Sequence, residues 1–389
     1  MLPEGWDLCR LEDLATVERG KFSARPRNDP KFFGGNIPFV QTGDVTNASI
    51  YVKNYSQTLN KEGLSVSRIF PKGTILMTIA ANIGDTAIAS FDLACPDSLV
   101  GIIAKKNKAD TYWLRIFLGA QKTTLENYAP QNAQKNINLQ TLKPLEILTP
   151  PLPEQKKIAA ILSTWDRAIE GTEKLLANSQ QQKKALMQQL LTGKKRLPGF
   201  TGEWKQHRLS DCCHIVMGSS PKSEFYNETG KGLPLLQGNA DIKNRFSYPR
   251  IFTSEITKEC NVGDILLSVR APVGTVSIAV HHACIGRGIS SIRVKKGNSQ
   301  EFAYQYFLSI EDRWDRLAQG STFEAVNGDD IKKLTIQLPS LPEQKAIAAV
   351  LSTTDEEIAA IESDLSRLRQ EKKALMQQLL TGKRRVKVD

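Results

Sequence analysis

The amino-acid sequence predicts an α+β fold: two similar globular mixed α/β units, each followed by a long α-helix, with the two helices paired as a coiled coil. Three observations lead to this prediction. A helical segment that starts at Leu152 with "LPEQKKIAAILS" starts again at Leu341 with "LPEQKAIAAVLS", and both copies end in "KKALMQQLLTGK". Each copy carries an apolar heptad pattern. The regions before the two copies also resemble each other, more weakly.

The first globular unit is predicted over residues 1–151 and the second over residues 198–340. "IPFVQTGDV" in the first parallels "LPLLQGNAD" in the second, and "GTILMTIAANIGDTAIAS" parallels "GDILLSVRAPVGTVSIAV". The latter pair predicts a β-hairpin in each unit, with its tip ending at Gly84 or Gly274. "LKPLEILTPPLP" and "IKKLTIQLPSLP" each predict a final strand that leads into a long helix.

The long helices are predicted within residues 152–197 and 341–389. Pro153 and Pro342 suit the first helical turn, and Gly193 and Gly382, each followed by basic residues, suit a C-terminal stop. A helix from Glu154 to Thr192 would be roughly 58 Å long. Such a helix exposes an apolar stripe if it stands alone, so mutual pairing is favoured over packing of each helix on its own globular unit.

Two apolar series at heptad spacing define the predicted seam of this coiled coil. The seam residues are Ile158, Leu162, Trp165, Ile169, Leu176, Leu186, Leu190, Ile347, Leu351, Ile358, Ile361, Leu365, Leu368, Leu375 and Leu379. Lys183 and Lys372 occupy the same seam position in the two copies, where a lone polar group costs stability and can fix the register.

Composition limits the class of protein. A chain of 389 residues is long enough for two or three domains, and its 40% hydrophobic and 24% charged residues are typical of a soluble globular protein. No apolar run approaches the roughly 20 residues that cross a bilayer, and no signal peptide is apparent. We expect a cytoplasmic protein without a membrane partner.

The net charge of +11 favours a polyanionic partner, nucleic acid before an anionic membrane surface, although an incidental basic surface stays possible at this point. The six cysteines show no disulfide framework. Potential zinc ligands are Cys212, Cys213, His214, His281, His282 and Cys284. Adjacent cysteines rarely supply tetrahedral geometry, so we predict buried strand thiols and no metal site.

No catalytic or cofactor-binding residues are predicted. The sequence has no phosphate-binding Gly-x-x-x-x-Gly-Lys-Ser/Thr loop, no His-Glu-x-x-His and no Gly-x-Ser-x-Gly. "TPPLPEQ", which begins at Thr149, is close to the Asp/Asn-Pro-Pro-aromatic motif of DNA amino-methyltransferases. Threonine replaces the acid or amide and leucine replaces the aromatic, so we interpret the prolines as a stiff strand-to-helix joint. Binding is therefore favoured over catalysis.

The "LPEQ…IAA…LS" and "KKALMQQLLTG" blocks, each placed after a variable domain, resemble the specificity subunits of type I restriction–modification systems over essentially the whole chain. The resemblance implies that each globular unit is a target-recognition domain for one half of a split, asymmetric sequence in double-stranded DNA. It also implies that the helices pair antiparallel as a spacer that sets the gap.

The partners that the resemblance implies are two modification (methyltransferase) subunits and the restriction (translocase and endonuclease) subunits. S-adenosylmethionine, ATP and Mg would then belong to those partner subunits, with no cofactor in this chain. The alternative from another class is a coiled-coil adaptor that joins two protein partners without reading DNA sequence. A solitary methyltransferase is disfavoured because no cofactor loop is present.

Candidate base-reading residues are polar side chains in loops beside the predicted strands, because Arg recognises guanine and Asn or Gln recognises adenine in the major groove. They are Gln41, Thr42, Asn47, Asn82, Gln131, Asn132, Gln134, Lys135, Gln237, Asn239, Lys243, Arg245, Arg270, Arg287, Ser321 and Thr322. Candidate phosphate contacts, which position a protein without specifying sequence, are Lys21, Arg25, Arg27 and Lys222. For any single Asn or Gln, a turn residue bonded to its own backbone is the competing interpretation.

Overall fold

The computed structural model describes residues 2–80, 82–128, 136–314 and 326–388. The chain forms two compact units, the first comprising Met1–Gly171 with Leu365–Asp389 and the second comprising Thr172–Asp364. The central helix, Leu152–Leu190, and the C-terminal helix, Leu341–Leu380, therefore each contribute one part to unit 1 and the other part to unit 2. This division differs from the four consecutive segments of the sequence-based prediction, because helix pairing joins distant parts of the chain.

Unit 1 is built on two main sheets in the part of the chain that the structure describes. The first has the strand order β2-β10-β7-β8-β4 and the second the order β5-β3-β9-β6, while β1 pairs with β11. The strands are β1 Asp7–Arg10, β2 Ala15–Arg19, β3 Phe33–Phe39, β4 Tyr51–Val52, β5 Gln57–Leu59, β6 Ile69–Phe70, β7 Ile75–Thr78, β8 Thr86–Ala89, β9 Leu93–Ala94, β10 Leu99–Ala104 and β11 Glu146–Thr149.

The helices of unit 1 are short apart from its parts of the two long helices. They are Leu11–Leu14, Thr42–Thr46, Lys61–Ser65, Thr111–Ala120, Lys122–Tyr128 and Leu139–Leu142, with a 3₁₀ turn at Pro30–Phe32. Trp113 on the helix Thr111–Ala120 is fully buried, in a core that also contains Ile158 of the central helix and Leu379 of the C-terminal helix. The long helices are thus integral to the core of this unit.

Unit 2 repeats this plan within its described residues. Its sheets have the orders β13-β23-β20-β21-β17-β16 and β14-β18-β15-β22-β19, and β12 pairs with β24. The strands are β12 Lys205–Arg208, β13 Cys213–Met217, β14 Tyr226–Asn227, β15 Leu233–Leu236, β16 Ile242–Lys243, β17 Phe246–Ser247, β18 Ile251–Thr253, β19 Glu259–Cys260, β20 Ile265–Ser268, β21 Val276–Ile278, β22 Ala283–Ile285, β23 Ile289–Val294 and β24 Thr335–Leu338.

Short helices in unit 2 cover Leu209–Cys212, Gln300–Ser309 and Gly328–Lys333, with 3₁₀ turns at Ser223–Phe225 and Asn239–Asp241. The helix Gln300–Ser309 follows β23 as the helix Thr111–Ala120 follows β10 in unit 1. Phe307 of this helix is fully buried in a core shared with Leu190 of the central helix and Leu351 of the C-terminal helix. Both units therefore bury the same kind of helix against their parts of the long pair.

The predicted hairpins and final strands are confirmed. Strand β7 pairs antiparallel with β8, and β20 pairs antiparallel with β21. In both hairpins the predicted tip glycine has a positive φ, +88° at Gly84 and +94° at Gly274, a region where a side chain would be strained. The predicted final strands are β11 and β24, each of which ends shortly before a long helix begins.

The two long helices also form where the repeat predicted them. The central helix has 39 residues and the C-terminal helix has 40. Gly193 and Gly382 follow them with φ of +69° and +68°, the left-handed conformation of a helix C-terminal stop. Every residue predicted for the seam is buried or half-buried.

The helices pair antiparallel, as their contacts within each unit demonstrate. In unit 1, Asp166 of the central helix binds Lys372 of the C-terminal helix, and Glu154 binds Arg385. In unit 2, Asp355 binds Lys183. Higher numbers on one helix meet lower numbers on the other, so the direction is antiparallel. Both seam lysines thus have a carboxylate partner on the opposite helix, and the two partners occupy equivalent positions in the two copies.

Asp166 also accepts a hydrogen bond from the Tyr112 hydroxyl at 2.6 Å, which connects the helix pair to the helix Thr111–Ala120. Burial and this hydrogen bond raise the pKa of Tyr112. In unit 2, Gln305 of the helix Gln300–Ser309 donates to Asp355 at 2.9 Å. Asp166 and Asp355 are therefore equivalent: each binds a seam lysine and accepts a hydrogen bond from the short helix of its own unit.

The glutamate of the repeated "PEQ" motif makes buried contacts with distant parts of the chain in both units. Glu154 is buried and accepts hydrogen bonds from the Arg385 guanidinium at 2.8 and 2.9 Å and from the Trp6 indole at 3.0 Å. In unit 2, Glu343 receives two hydrogen bonds from Arg196, at 2.6 and 2.7 Å. Burial opposes ionisation of Glu154, but the hydrogen bonds from Arg385 and Trp6 outweigh it and hold its pKa below the ordinary value.

The glutamine of the same motif holds the strand-to-helix joint. Gln155 donates to the Pro150 carbonyl at 2.9 Å and accepts from the backbone N–H of Asp110, the cap of the helix Thr111–Ala120, at 2.8 Å. Gln344 makes the equivalent contacts with Pro339 and Ser299. The joint that the prolines predicted is thus fixed by a buried amide.

In the described part of the chain, the cysteines and histidines considered as zinc ligands do not gather at one site. Cys212 and Cys213 place their sulfurs 3.8 Å apart, whereas His281 contacts Ser247 and His282 contacts Glu259. Within the described residues, no three His, Cys, Asp or Glu side chains are placed to hold a metal ion. No helix in the described ranges combines the length and apolar character needed to cross a membrane.

Candidate nucleic-acid interface

A loop after a matched strand begins the candidate site in each unit. Gln41 follows β3, and its backbone N–H donates to the Asp44 carboxylate at 2.8 Å. Gln237 follows β15, and its N–H donates to the Asp241 carboxylate at the same distance. Each carboxylate closes a short turn, so the same type of hydrogen bond fixes the backbone of both glutamines.

A second loop lies beside the first in each unit. In unit 1, the Ile79 N–H donates to the Ser98 carbonyl at 3.0 Å, and in unit 2, the Val269 N–H donates to the Gly288 carbonyl at 2.9 Å. These matched bonds define equivalent positions. Ala80 of unit 1 corresponds to Arg270 of unit 2, and Asp97 corresponds to Arg287.

The two loops of unit 1 border a cleft of about 320 Å³. Its lining is aromatic and polar, comprising Phe22, Arg27, Asn28, Phe33, Phe39, Gln41, Gln57, Pro96 and Ser98. The Gln41 amide donates to the Gln57 side-chain oxygen at 2.6 Å. Arg27 donates to Asp97 at 2.8 Å, in an exposed pair. Amide groups and phenylalanine rings therefore dominate this surface.

The corresponding cleft of unit 2, about 260 Å³, has a different chemistry. It is lined by Ser220, Gln237, Gly238, Asn239, Ser268, Arg270, Ala271, Arg287 and Gly288. Four predicted base-reading residues therefore meet here: Gln237, Asn239, Arg270 and Arg287. Among the predicted residues of unit 1, Gln41 and Arg27 line the first cleft.

The other described candidates lie outside the two clefts. Thr42 starts the helix Thr42–Thr46 and the exposed Asn47 caps its C-terminus. Asn82 is exposed near the hairpin tip. The Lys243 ammonium lies 5.0 Å from the centre of the Tyr248 ring. Gln131, Asn132, Gln134, Lys135, Ser321 and Thr322 lie outside the described residues.

Arg245 is engaged within unit 2. It lies in the turn between β16 and β17 with φ +64°, and both terminal nitrogens of its guanidinium donate to Glu311 at 2.9 Å. These hydrogen bonds raise its pKa above the ordinary value. A base contact by Arg245 would require it to leave Glu311.

Of the predicted phosphate contacts, Lys21, Arg25, Arg27 and Lys222 are all exposed. Arg25 donates to the Ala24 carbonyl at 2.7 Å. The Lys222 ammonium lies 3.9 Å from Glu224, in a pair where both side chains are mostly exposed. Such surface pairs are worth little, so these cations can exchange their partners for phosphate.

Sequence reasoning missed several lining residues, notably Asn28, Gln57 and Ser220 and the three phenylalanines of unit 1. No periodic signal distinguishes them, because the clefts are formed by loops and strand ends that meet only in the folded unit. The acidic partners of the seam lysines were also missed. Their signal was available, since Asp166 and Asp355 occupy equivalent positions in the two copies.

The family model for the type I restriction modification DNA specificity domain matches residues 3–178 and again residues 201–369. The chain belongs to the specificity-subunit family of type I restriction–modification systems. The two matched regions correspond to the duplicated organisation seen in the sequence, one match for each globular region with most of its long helix.

Individual relatives of this specificity-subunit family agree over nearly the full length. The chain is 33% identical over 406 aligned residues to a putative type I restriction enzyme MjaX specificity subunit from Methanocaldococcus jannaschii, covering 99% of this chain and 95% of that protein. A solved chain from a study of complex assembly and conformational transition of the type I R-M system has 24% identity and a TM-score of 0.66, with 98% and 99% coverage. The S subunit from M. genitalium has the same fold at 16% identity, with a TM-score of 0.65 and 97% and 99% coverage.

Proposed function

We propose that this specificity subunit reads a bipartite, asymmetric target in double-stranded DNA, with one unit on each half-site. The observation that carries the proposal is the pair of clefts, built on matched backbone hydrogen bonds but lined by different side chains. A shared backbone scaffold allows both units to dock against DNA in the same way. Because different side chains line the two clefts, each unit can recognise a different base sequence. The net charge of +11 supports a polyanionic partner.

The long helices would set the gap between the half-sites. Half-sites read from one face of B-DNA lie roughly 34 Å apart for each helical turn, and an antiparallel pair of 39 and 40 residues is long enough to span such a distance. A rigid spacer requires that the pairing has one register. The two aspartate–lysine contacts in the seam, one buried and one partly exposed, support one register.

The chemistry of the complex would reside on partner subunits. Two modification subunits would hold S-adenosylmethionine, and restriction subunits would hold ATP and Mg, while this chain contributes recognition and no catalytic centre. The residues lining the two clefts support this division, because they are amides, arginines, hydroxyls and aromatic rings rather than an acid–base or metal-binding set.

Methylation mapping tests the proposal directly. DNA from cells that express the chain with its modification subunit is sequenced by a method that reports methylated bases at single-nucleotide resolution. We expect a split motif whose two halves differ. A continuous motif, a palindrome or no motif contradicts the proposal.

A binding assay separates this function from a protein adaptor. Purified chain with its modification subunit is titrated against duplex DNA at several salt concentrations. A DNA-reading subunit gives affinity that falls steeply with salt and depends on sequence. Absence of DNA binding, or binding that salt and sequence do not change, favours a coiled-coil adaptor.

A further inference from the structure

The cleft of unit 2 contains two arginines that no described carboxylate neutralises. Among the other arginines of this unit, Arg196 pairs with Glu343, Arg250 with Asp241 and Arg293 with Asp264. Arg270 and Arg287 are exposed and line the same cleft, and within the described residues neither forms an ion pair. Two guanidiniums in one cleft, both without a carboxylate partner in the described part of the chain, favour an acceptor-rich ligand.

Rigid backbone holds both arginines in place. Arg287 lies between Gly286 and Gly288, and a Cβ on Gly288 would stand 2.2 Å from the Gln237 carbonyl oxygen, so only glycine permits this close approach. The Arg287 N–H donates to the Ser220 hydroxyl at 3.1 Å. The Arg270 carbonyl accepts from the Ser268 hydroxyl at 3.0 Å. Neither guanidinium has an acidic partner among the described residues, while the backbone that carries it is fixed, which is the arrangement of a preorganised binding site.

The equivalent positions of unit 1 carry no arginine. Ala80 stands in place of Arg270, and Asp97 in place of Arg287. Asp97 accepts a hydrogen bond from Arg27, which lines the cleft, so the cation on this side is paired with a carboxylate. The amides of Gln41 and Gln57 and three phenylalanine rings form much of the remaining surface. On the same scaffold, unit 1 therefore carries a neutralised ion pair where unit 2 carries two arginines without a described carboxylate partner.

We propose that Arg270 and Arg287 make unit 2 specific for guanine in its half-site, and that unit 1 reads its half-site without guanine recognition at the equivalent positions. The inference rests on the proposed function and assigns the bases to the units. Guanine presents two acceptors, N7 and O6, on its major-groove edge, and the planar donor fork of arginine matches them.

Asn239 also lines the cleft of unit 2. Its side-chain nitrogen donates to the Thr275 hydroxyl at 3.0 Å, which orients the amide. Its buried side-chain oxygen has no partner among the described residues. Asn239 is therefore a fixed polar wall of the cleft beside the two arginines, and the guanine contacts of the proposal rest on the arginines.

The test uses the full chain with its modification subunit in cells, with Arg270→Gln and Arg287→Gln introduced separately. We expect each variant to accept other bases at a G·C position of one half-site, with preference there reduced roughly 5- to 150-fold, and to leave the other half-site unchanged. Arg208→Gln is the matched control, since Arg208 is exposed in the same unit and outside the cleft. It should keep the wild-type motif.

Modified DNA distinguishes base reading from phosphate binding. Replacing guanine at the affected position by 7-deazaguanine removes the N7 acceptor, so wild-type affinity should fall while the corresponding variant shows little further loss. Thermal unfolding of each variant should match wild type, because neither guanidinium has a described partner to lose.

Three outcomes overturn the inference: an unchanged motif, relaxation at an A·T pair, or equal weakening on all sequences with a smaller salt dependence, which marks a phosphate contact. Failure of the proposed function looks different. In that case the wild-type chain yields no split motif, and the inference falls with it.

Discussion

The availability of a charged side chain depends on its folded neighbours, as three arginines of unit 2 illustrate. Arg245, Arg270 and Arg287 all lie in or beside tight turns and appear equivalent in the sequence. Glu311, 66 residues further along the chain, takes the guanidinium of Arg245. The other two have no described acidic partner and line one cleft. The sequence identified these arginines as candidates for base contacts. The packing determined which of them already has an acidic partner within the unit.

Lys21 and Lys222 provide a prediction about phosphate contacts. Both are exposed, and the Lys222 ammonium lies 3.9 Å from the exposed carboxylate of Glu224. Replacing either by alanine should weaken binding to all DNA sequences by the same factor and reduce the slope of log K against log salt by about 1. Titrations at several salt concentrations measure both quantities. A loss confined to one base pair would show that the lysine reads sequence instead.

Two buried thiols predict a loss of stability at alkaline pH. Burial raises the pKa of Cys95 and of Cys260 from 9.0 to about 12. Between pH 9 and 12 the unfolded chain releases thiol protons that the folded chain retains, so the free energy of unfolding falls as pH rises. Each thiol contributes a slope of about 1.4 kcal/mol per pH unit in this window.

Chemical denaturation of wild type and of Cys260→Ala between pH 8 and pH 10.5 checks this expectation. The variant should lose stability less steeply with pH, because one of the two thiols is absent. Equal slopes for the two proteins would mean that Cys260 ionises in the folded state as readily as in the unfolded state.

At the scale of elements, the seam of the helix pair combines apolar packing with one aspartate–lysine ion pair in each unit. Breaking such a pair by removing one partner leaves an uncompensated buried charge, whereas replacing both partners by apolar residues is often neutral. The two pairs are not equally buried. The side chain of Asp166 is 10% exposed and that of Asp355 is 40% exposed.

We expect Asp166→Ala to destabilise the protein by about 3 kcal/mol, because it strands Lys372 and also removes the acceptor of the Tyr112 hydroxyl. Asp355→Ala is the matched variant in unit 2 and should cost less, since water reaches that pair more easily. Denaturant unfolding of both variants measures the difference. Equal costs would contradict the argument from burial.

The double variant Asp166→Leu with Lys372→Met is the control for charge. It removes both ions and leaves apolar side chains of similar size, so most of the lost stability should return. If the double variant is no more stable than Asp166→Ala, the loss arises from Tyr112 or from packing, and not from a stranded lysine.

At the scale of the whole molecule, duplication of one scaffold with different linings is the feature that supports reading of a split target. In this proposal, the long helices set the length of the gap between the two half-sites. Inserting one heptad at matched positions in both helices preserves the seam and lengthens the pair by about 10 Å. With base pairs roughly 3.4 Å apart, the unspecified gap should grow by about three base pairs.

Methylation mapping of the lengthened chain measures this gap. Insertion in one helix alone is the control, because it shifts the aspartate–lysine pairs out of register and should reduce stability without giving a new defined gap. An unchanged gap after the paired insertion would contradict a role for the helices as a spacer.

The sequence by itself determined the features that depend on local pattern. The heptads, the terminal glycines and the matched hairpins predicted the elements, and the repeated blocks predicted the family, because spacing and backbone preference act over a few residues. Only the tertiary structure decided which charges are paired and which polar side chains meet in a cleft. Glu154 and Arg385 are 231 positions apart, and Asp166 and Lys372 are 206 apart. Packing of distant segments selects such partners, so the repeat can mark Asp166 as a candidate but cannot assign Lys372 to it.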